Sequence, residues 1–184
     1  MPLSNPEPRR PIHQRTIQCA GYLRSDRLWD IEAMLTDTKG YAIQSDFRRV
    51  EAGQPFHQMS IRLSVDDELI IRDVEAVIDA APHKVCPSIT PNFQRLLGLR
   101  IGGGFLREAR KHLGGVNGCA HLVELLGPIA TAAMQTIFPI RGRPKGEEIM
   151  APPMQIGGCH ALAATSEVVA KYWPFFHQKS ATAL

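Results

Sequence analysis

A β-hairpin pattern over residues 59–79 constrains the fold of this chain more than any other feature of its sequence. Apolar residues occupy every second position from Met59 to Val65, which is the period of a strand with one buried face. The acidic run 66–68 supplies a turn, and a second strand is predicted over 70–79. We predict that one face of this second strand carries Arg72, Val74, Ala76 and Ile78.

Two further strands are predicted before this hairpin. They cover residues 14–24 and 28–37, and polar residues 24–27 form a plausible hairpin turn between them. The segment 38–55 contains two glycines and a proline and is predicted to be a long loop.

The apolar spacing changes to three and four after Pro87. This spacing predicts helices over 91–97, 104–113 and 117–138. Strands followed by helices are typical of an α+β domain. We therefore predict an α+β fold in which an antiparallel sheet of about four or more strands is followed by three helices packed on one face.

The domain organisation follows from length and from the distribution of proline. Three of the first eight residues are proline and two arginines follow, so residues 1–11 are predicted to be a disordered lead-in. Residues 12–184 are enough for one α+β domain with its own core. Within it, residues 139–153 carry four prolines and two glycines, which predicts an irregular arm.

Charge and composition restrict the partners of the protein. The net charge is +3, and the basic clusters have no interleaved aromatic residues, so a nucleic-acid partner is not expected. The first residues lack the apolar core of a signal peptide, and no apolar stretch reaches the length of a membrane span. These features predict a cytoplasmic protein without a membrane partner. Its oligomeric state is left open.

Cysteines and histidines suggest a chemical site. Thiolates and imidazoles at separate points of a chain can converge on one zinc ion, and the candidate ligands here are Cys86, Cys119, His121 and Cys159. The alternative is that these cysteines are small buried side chains, which is a common state of free cysteine. The chain lacks a dinucleotide-binding fingerprint, so no nucleotide cofactor is expected.

Cys119 is predicted at the first turn of the last helix, where the helix dipole favours a thiolate. We predict a catalytic set of Cys119, His121, His57 and Glu124, in which Glu124 orients the His121 imidazole. Substrate-binding candidates on the strands are Arg15, Arg62, His13 and Asp30. The alternative for the charged strand residues is a solvated sheet face.

Seven motifs along the chain resemble, in order, those of a bacterial family catalogued as domain of unknown function 2889. They are HQRT at 13–16, GYLRSD at 21–26, LWDIE at 28–32, DTK at 37–39, HQM at 57–59, GCAHL at 118–122 and CHAL at 159–162. Arg27 stands where the family pattern has a turn glycine, and Ala120 stands where it has a threonine. The resemblance implies no particular activity.

Residues 58–138 also resemble IscU-type iron–sulfur scaffold proteins. The shared order is a strand, an acidic turn, a strand leading to a cysteine, a helix with a Leu-x-Gly ending and a final helix with a cysteine at its start. This resemblance implies an IscU-like fold, with Cys86 and Cys119 at two of the scaffold's ligand positions.

Two functional hypotheses follow. The first is a small-molecule enzyme, a lyase or hydrolase, that transfers protons in a pocket between the sheet and the last helix, with zinc as a candidate cofactor. The second, which the IscU resemblance implies, is a non-enzymatic metal or iron–sulfur carrier or a sulfur-relay protein.

Overall fold

Four long antiparallel strands form the frame of the protein. In a computed structural model they are β1 (His13–Leu23), β2 (Trp29–Lys39), β5 (Pro55–Val65) and β6 (Ile71–Ala80), paired in that order. The structure describes residues 3–45, 47–141, 152–153 and 155–179. The predicted α+β class and the antiparallel sheet are therefore confirmed.

The chain divides into two compact units, Met1–Arg141 and Gly142–Leu184. The first unit contains the whole sheet and the core. The interpretation of residues 12–184 as one domain stays a prediction. The predicted lead-in is exposed and has no regular structure over the described residues 3–11.

The turns between strands use residues with left-handed backbone. Arg27 has a φ of 70° between β1 and β2, at the position where the family pattern has glycine. A side chain at positive φ is costly, which is why glycine is usual in such a turn. Leu69 has a φ of 65° in the turn between β5 and β6. Its side chain is buried in the core, so packing offsets the backbone strain.

Residues 38–55 are more ordered than the predicted loop. They contain the end of β2 and a two-stranded hairpin of β3 (Ile43–Gln44) and β4 (Arg49–Val50). Strands of two residues are too short to leave a periodic pattern in the sequence.

The prediction of which β6 residues share one face is wrong for one residue, Arg72. A register shift between Ser64 and Val65 pairs Ser64 with Asp73 and Val65 with Ile71, so Arg72 is the extra residue of a bulge. Arg72 is exposed and its guanidinium bonds the Asp66 carboxylate at 2.7 Å instead of sharing the face of Val74.

Helices follow the sheet as predicted, with shifted bounds. Residues Cys86–Leu96 form a 3-10 helix that packs on β6, longer and tighter than the helix predicted there. It is followed by α1 (Phe105–Leu113) and α2 (Ala120–Arg141). Residues 139–141 belong to α2 rather than to the predicted arm, and 142–151 lie outside the described residues.

The long helix α2 covers β1 and β2. Its buried stripe has helical spacing: Leu122, Leu125, Leu126, Ile129, Ala133 and Ile137. By length and composition α2 could also cross a membrane. A stripe buried in the core is equally expected of a core helix, so the absence of a membrane partner stays a prediction.

Gly21 lets α2 approach β1 closely. A Cβ at Gly21 would lie 2.0 Å from Oγ1 of Thr136 on the helix. The fifteen helical steps from His121 to Thr136 rise about 22 Å. The six strand steps from Arg15 to Gly21 rise about 20 Å. The start of α2 therefore lies over the Arg15 end of β1.

The second unit is small over the residues described. It contains α3 (Glu167–Tyr172) between two 3-10 turns, His160–Leu162 and Pro174–Phe176. Ser166 caps α3 by accepting a hydrogen bond from the Val169 amide at 3.2 Å.

Candidate functional site

Three neighbouring strands bring Arg15, Asp37 and His57 side by side. In the register, Arg15 of β1 lies opposite Asp37 of β2, and Asp37 lies opposite His57 of β5. Directly opposed residues of antiparallel strands project from the same face. This face also carries Leu35 and Met59 and is the one that α2 covers.

A bulge lies next to this row. The register shifts so that Thr38 pairs with Pro55 while Asp37 pairs with His57, which leaves Phe56 as the extra residue on β5. The Phe56 and His57 rings meet edge to face, with centroids 4.8 Å apart. Bulges re-aim side chains and are frequent beside functional sites.

Asp37 is the centre of the cluster. Its side chain is only 2% exposed. Arg15 binds it through both ends of one guanidinium edge, with Nε 2.8 Å from Oδ1 and Nη2 2.7 Å from Oδ2. His57 Nδ1 lies 2.9 Å from Oδ2, and His13 Nε2 lies 3.4 Å from Oδ1. Both carboxylate oxygens are thus surrounded by nitrogen donors.

The first turns of α2 add His121 and Glu124, which share a helix face because they are three residues apart. The His121 ring lies 4.1 Å from the His57 ring, and its Nε2 is 3.9 Å from Asp37 Oδ2, too far for a hydrogen bond. Glu124 Oε2 accepts a hydrogen bond from Arg15 Nη1 at 2.5 Å. Glu124 therefore contacts Arg15, and its predicted role in orienting the His121 imidazole stays a prediction.

The cluster combines an ionised carboxylate with neutral imidazoles at neutral pH. Burial alone would raise the pKa of Asp37, but hydrogen bonds from Arg15 and His57 outweigh it and hold the pKa at about 2. The bonds to Asp37 raise the pKa of Arg15 above its ordinary value. Burial lowers the pKa of His57, helped by the neighbouring His121. Burial and the Arg15 charge lower the pKa of His121.

The hydrogen bond to Asp37 sets the tautomer of His57. Because an ionised carboxylate only accepts, Nδ1 of His57 carries the proton and donates it to Oδ2. The second ring nitrogen, Nε2, then has a free lone pair. That lone pair can take a proton or bind a metal ion.

The predicted thiols occupy other positions. Cys119 Sγ lies 3.6 Å from Met59 Sδ, and both Cys119 and Cys86 are half-buried against the core. Cys159 belongs to the second unit, where its thiol is exposed. Of the three predicted zinc ligands in the first unit, His121 is the one that lies in the Asp37 cluster.

Arg62 and Asp30 project from the opposite face of the sheet. Arg62 pairs with Glu75 and lies 3.6 Å from Glu32. Asp30 accepts a hydrogen bond of 2.6 Å from Ser64 Oγ. This face holds an open groove of about 370 Å³ in which Glu32 and Arg62 are lining residues. The structure therefore separates these two substrate-binding candidates from His13 and Arg15.

Asp37 is the site residue that the sequence reasoning missed. It continues the buried series Trp29, Ile31, Ala33 and Leu35 at every second position of β2. A charged residue in phase with a buried face needs partners, because burying an unpaired charge is costly. The position of Asp37 on the buried face of the predicted strand was therefore the feature of the sequence that could have identified it.

Asp37, His57 and His121 also form a potential metal-binding group. One ligand atom of each lies within 4.8 Å of the others. Two histidines and a carboxylate are a common donor set for zinc and iron. Arg15 opposes this use of the group, because its cation already holds both oxygens of Asp37.

The fold and the cluster define an α+β protein with a buried carboxylate–histidine pair between a sheet and its covering helix. The chain belongs to a family described as protein of unknown function, DUF2889, whose model matches residues 13–135. No curated protein and no solved structure matches the chain. The IscU-like comparison therefore stays a prediction. His13, Arg15, Asp37, His57, His121 and Glu124 all lie within the matched residues.

Proposed function

We propose that this protein is an enzyme that transfers protons to and from a small molecule, in the manner of a lyase or hydrolase, at the Asp37–His57 pair. The observation that carries the proposal is the 2.9 Å contact between His57 Nδ1 and the buried carboxylate. This contact leaves Nε2 of a neutral imidazole free to act as a base.

Each residue of the pair has a distinct role. His57 Nε2 removes a proton from the substrate or from an attacking water, and the ring becomes an imidazolium. Asp37 holds the ring in the required tautomer and stabilises the positive charge that forms on it. Because the pKa of Asp37 is about 2, the carboxylate stays ionised and keeps this role across the physiological pH range.

His121 supplies the second imidazole of the site. Its ring lies 4.1 Å from that of His57, within reach of the same small molecule. A site with two imidazoles can take a proton at one atom and return one at another, as elimination and hydrolysis both require. The side chains of His121 and Arg15 are 26% and 30% exposed, and that of His57 is 13% exposed.

Cys119 has a packing role in this proposal. Its sulfur contacts Met59 and the core rather than a histidine, among the residues that the structure describes. A nucleophilic thiol needs a base within hydrogen-bond reach. Substituting Cys119 with alanine should therefore leave most of the activity. If Cys119 were the nucleophile, the same substitution would abolish the activity.

Zinc is the second candidate for this site, and one observation favours it. The ligand atoms of Asp37, His57 and His121 lie within 4.8 Å of one another. Zinc would activate a bound water for hydrolysis. We give it second place because Arg15 already holds both carboxylate oxygens and would repel a dication. Elemental analysis of protein purified without a metal-affinity tag separates the two candidates.

The carrier hypothesis has less support. A metal or sulfur carrier has to present its cysteines to a partner, and Cys86 and Cys119 are packed against the core. The comparison that suggested a carrier rests on the order of elements alone. Iron with acid-labile sulfide in the purified protein would reverse this preference.

The proposal is tested by a turnover screen over small esters, amides and hydroxy acids. Replacing His57 with Asn should reduce turnover by about 100- to 10,000-fold, the usual contribution of a general base. His112→Asn is the matched control, because His112 is a half-exposed histidine of α1 that contacts Glu108 at 3.6 Å. Equal turnover by wild type and the His57 variant would refute the assigned role of the pair.

A further inference from the structure

Arg15 has two edges in different environments. The inner edge, Nε and Nη2, is locked on the buried Asp37 carboxylate by two hydrogen bonds. The outer atom, Nη1, is held by Glu124. The Glu124 side chain is 46% exposed, whereas that of Asp37 is 2% exposed.

The two carboxylates, Asp37 and Glu124, should differ greatly in how easily each can leave Arg15. Removing Asp37 from Arg15 would leave the buried carboxylate without its guanidinium partner. Moving Glu124 away would return an exposed carboxylate to water, and exposed ion pairs contribute little because water solvates both groups well. Arg15 is therefore fixed in position with one donor atom that a second carboxylate can reach.

The neighbourhood of Nη1 suits an anionic group. His13 and His121 place further nitrogen atoms around the Asp37 carboxylate that Arg15 holds, at 3.4 and 3.9 Å from its oxygens. The start of α2 carries His121, and its first turn contains no acidic residue. The partial positive charge of that helix end favours negative groups nearby, and Asp37 and Glu124 already supply two carboxylates there.

We propose that the outer edge of Arg15 is a subsite for a carboxylate of a small molecule, and that Glu124 occupies this subsite in the free protein. The incoming carboxylate takes the hydrogen bond from Nη1, and the Glu124 side chain swings into solvent. The inference rests on the proposed function only in taking this molecule to be the substrate. It then gives the substrate class, a small carboxylic acid whose reacting atom is presented to His57.

Titration with acetate tests the subsite without any turnover. The ring signals of His57 and His121 are followed by NMR as acetate replaces chloride at constant ionic strength and pH. Glu124→Gln removes the competing carboxylate and should tighten acetate binding about two- to fivefold, the usual range for an exposed pair. Arg15→Gln should abolish saturable binding.

The chain offers a matched control for Glu124. Glu75→Gln removes the same charge beside Arg62 on the opposite face of the sheet. It should leave acetate binding at the His57 and His121 signals unchanged. An equal gain in both variants would mean a general charge effect and would overturn the proposal. This comparison decides even if Arg15→Gln does not fold.

Two further outcomes would overturn the inference. The absence of saturable acetate binding in Glu124→Gln would remove the subsite. Saturation by inorganic phosphate at much lower concentration than acetate would overturn the assignment to a carboxylate. The proposed function fails separately, because it fails when His57→Asn keeps full turnover, whatever acetate does.

Discussion

Asp37 holds the site together because three strands and α2 supply its neighbours. Its carboxylate receives two hydrogen bonds from Arg15 and one from His57. Asp37→Asn would remove the charge and leave those donors with a weaker acceptor. We expect a loss of about 3 kcal/mol in the free energy of unfolding, at the low end for a broken buried pair because Arg15 stays partly solvated.

Urea unfolding measures this loss, and the matched control is Asp79→Asn. Asp79 is an exposed carboxylate on β6, so its substitution should change stability by less than about 0.5 kcal/mol. A similar small effect for Asp37→Asn would show that the carboxylate does not organise the strands around it.

The histidines should make stability depend on pH. The pKa values of His57 and His121 are lowered in the folded protein, first of all by burial. Below their ordinary pKa of 6.5 the unfolded chain binds more protons than the folded one, so the free energy of unfolding should fall as the pH falls. Thermal unfolding between pH 7.5 and 5, with a chelator present, measures this slope.

His57→Gln should flatten the slope, whereas His112→Gln should not. Asp37 adds a second loss at lower pH. Its pKa is lowered from 3.8 to about 2, so its stabilisation is present above pH 3.8 and disappears as the pH falls through about 2. A stability curve that is flat from pH 7.5 to 5 in the wild type would contradict the lowered histidine pKa values.

At the scale of elements, the contact between β1 and α2 fixes where the site residues of the helix lie. Gly21 faces Thr136, and a Cβ at Gly21 would come within 2.0 Å of Oγ1 and 2.6 Å of Cγ2. Gly21→Ala should push the helix from the strand and destabilise the protein by about 1–3 kcal/mol, the usual cost of overpacking.

A double substitution tests whether this contact is the cause. Thr136→Ala removes Oγ1 and Cγ2, so adding it to Gly21→Ala should recover part of the lost stability. Strict additivity of the two effects in chemical unfolding would mean that the clash lies elsewhere. The NMR signals of His121 should move in Gly21→Ala and return toward wild type in the double variant.

Most elements could be predicted because their signals are local. The period of two over 59–65 and the period of three and four after Pro87 lie within single segments of the chain. The bulge that turns Arg72 outward could not be predicted, because it depends on how β5 pairs with β6. The hairpin of β3 and β4 was missed because two residues make no period.

The candidate site could be predicted only in part, because some of its contacts depend on how the strands pair. His57, His121, Arg15 and His13 could be named from their residue types, but Asp37 joins them only through the register of three strands, with partners 20 and 22 residues away. Arg62 is one case that the sequence could have settled. It lies out of phase with Met59 along β5, so it belongs to the other face of the sheet.

At the scale of the whole molecule, the core belongs to the first unit. Every buried residue of the main hydrophobic cluster lies between Trp29 and Ile137, and the family match ends at residue 135. The cluster around Asp37 also draws its members from this unit. The main cluster and the described contacts around Asp37 therefore all come from residues that precede the end of α2.

A chain of residues 1–141 should therefore fold and keep its site. We expect a cooperative thermal transition and the same Nδ1-protonated tautomer of His57 in the NMR spectrum as in the full chain.

The truncation also tests the one predicted zinc ligand of the second unit, Cys159. If zinc is present in the full chain and is lost at equal pH from 1–141 but retained by Asp37→Asn, the ligands are those of the thiolate prediction. If zinc is retained by 1–141 and lost from Asp37→Asn, the donor set is that of Asp37, His57 and His121. A fragment that is unfolded would mean that residues 142–184 contribute stability that the main cluster does not supply, and the function would have to be sought in the full chain.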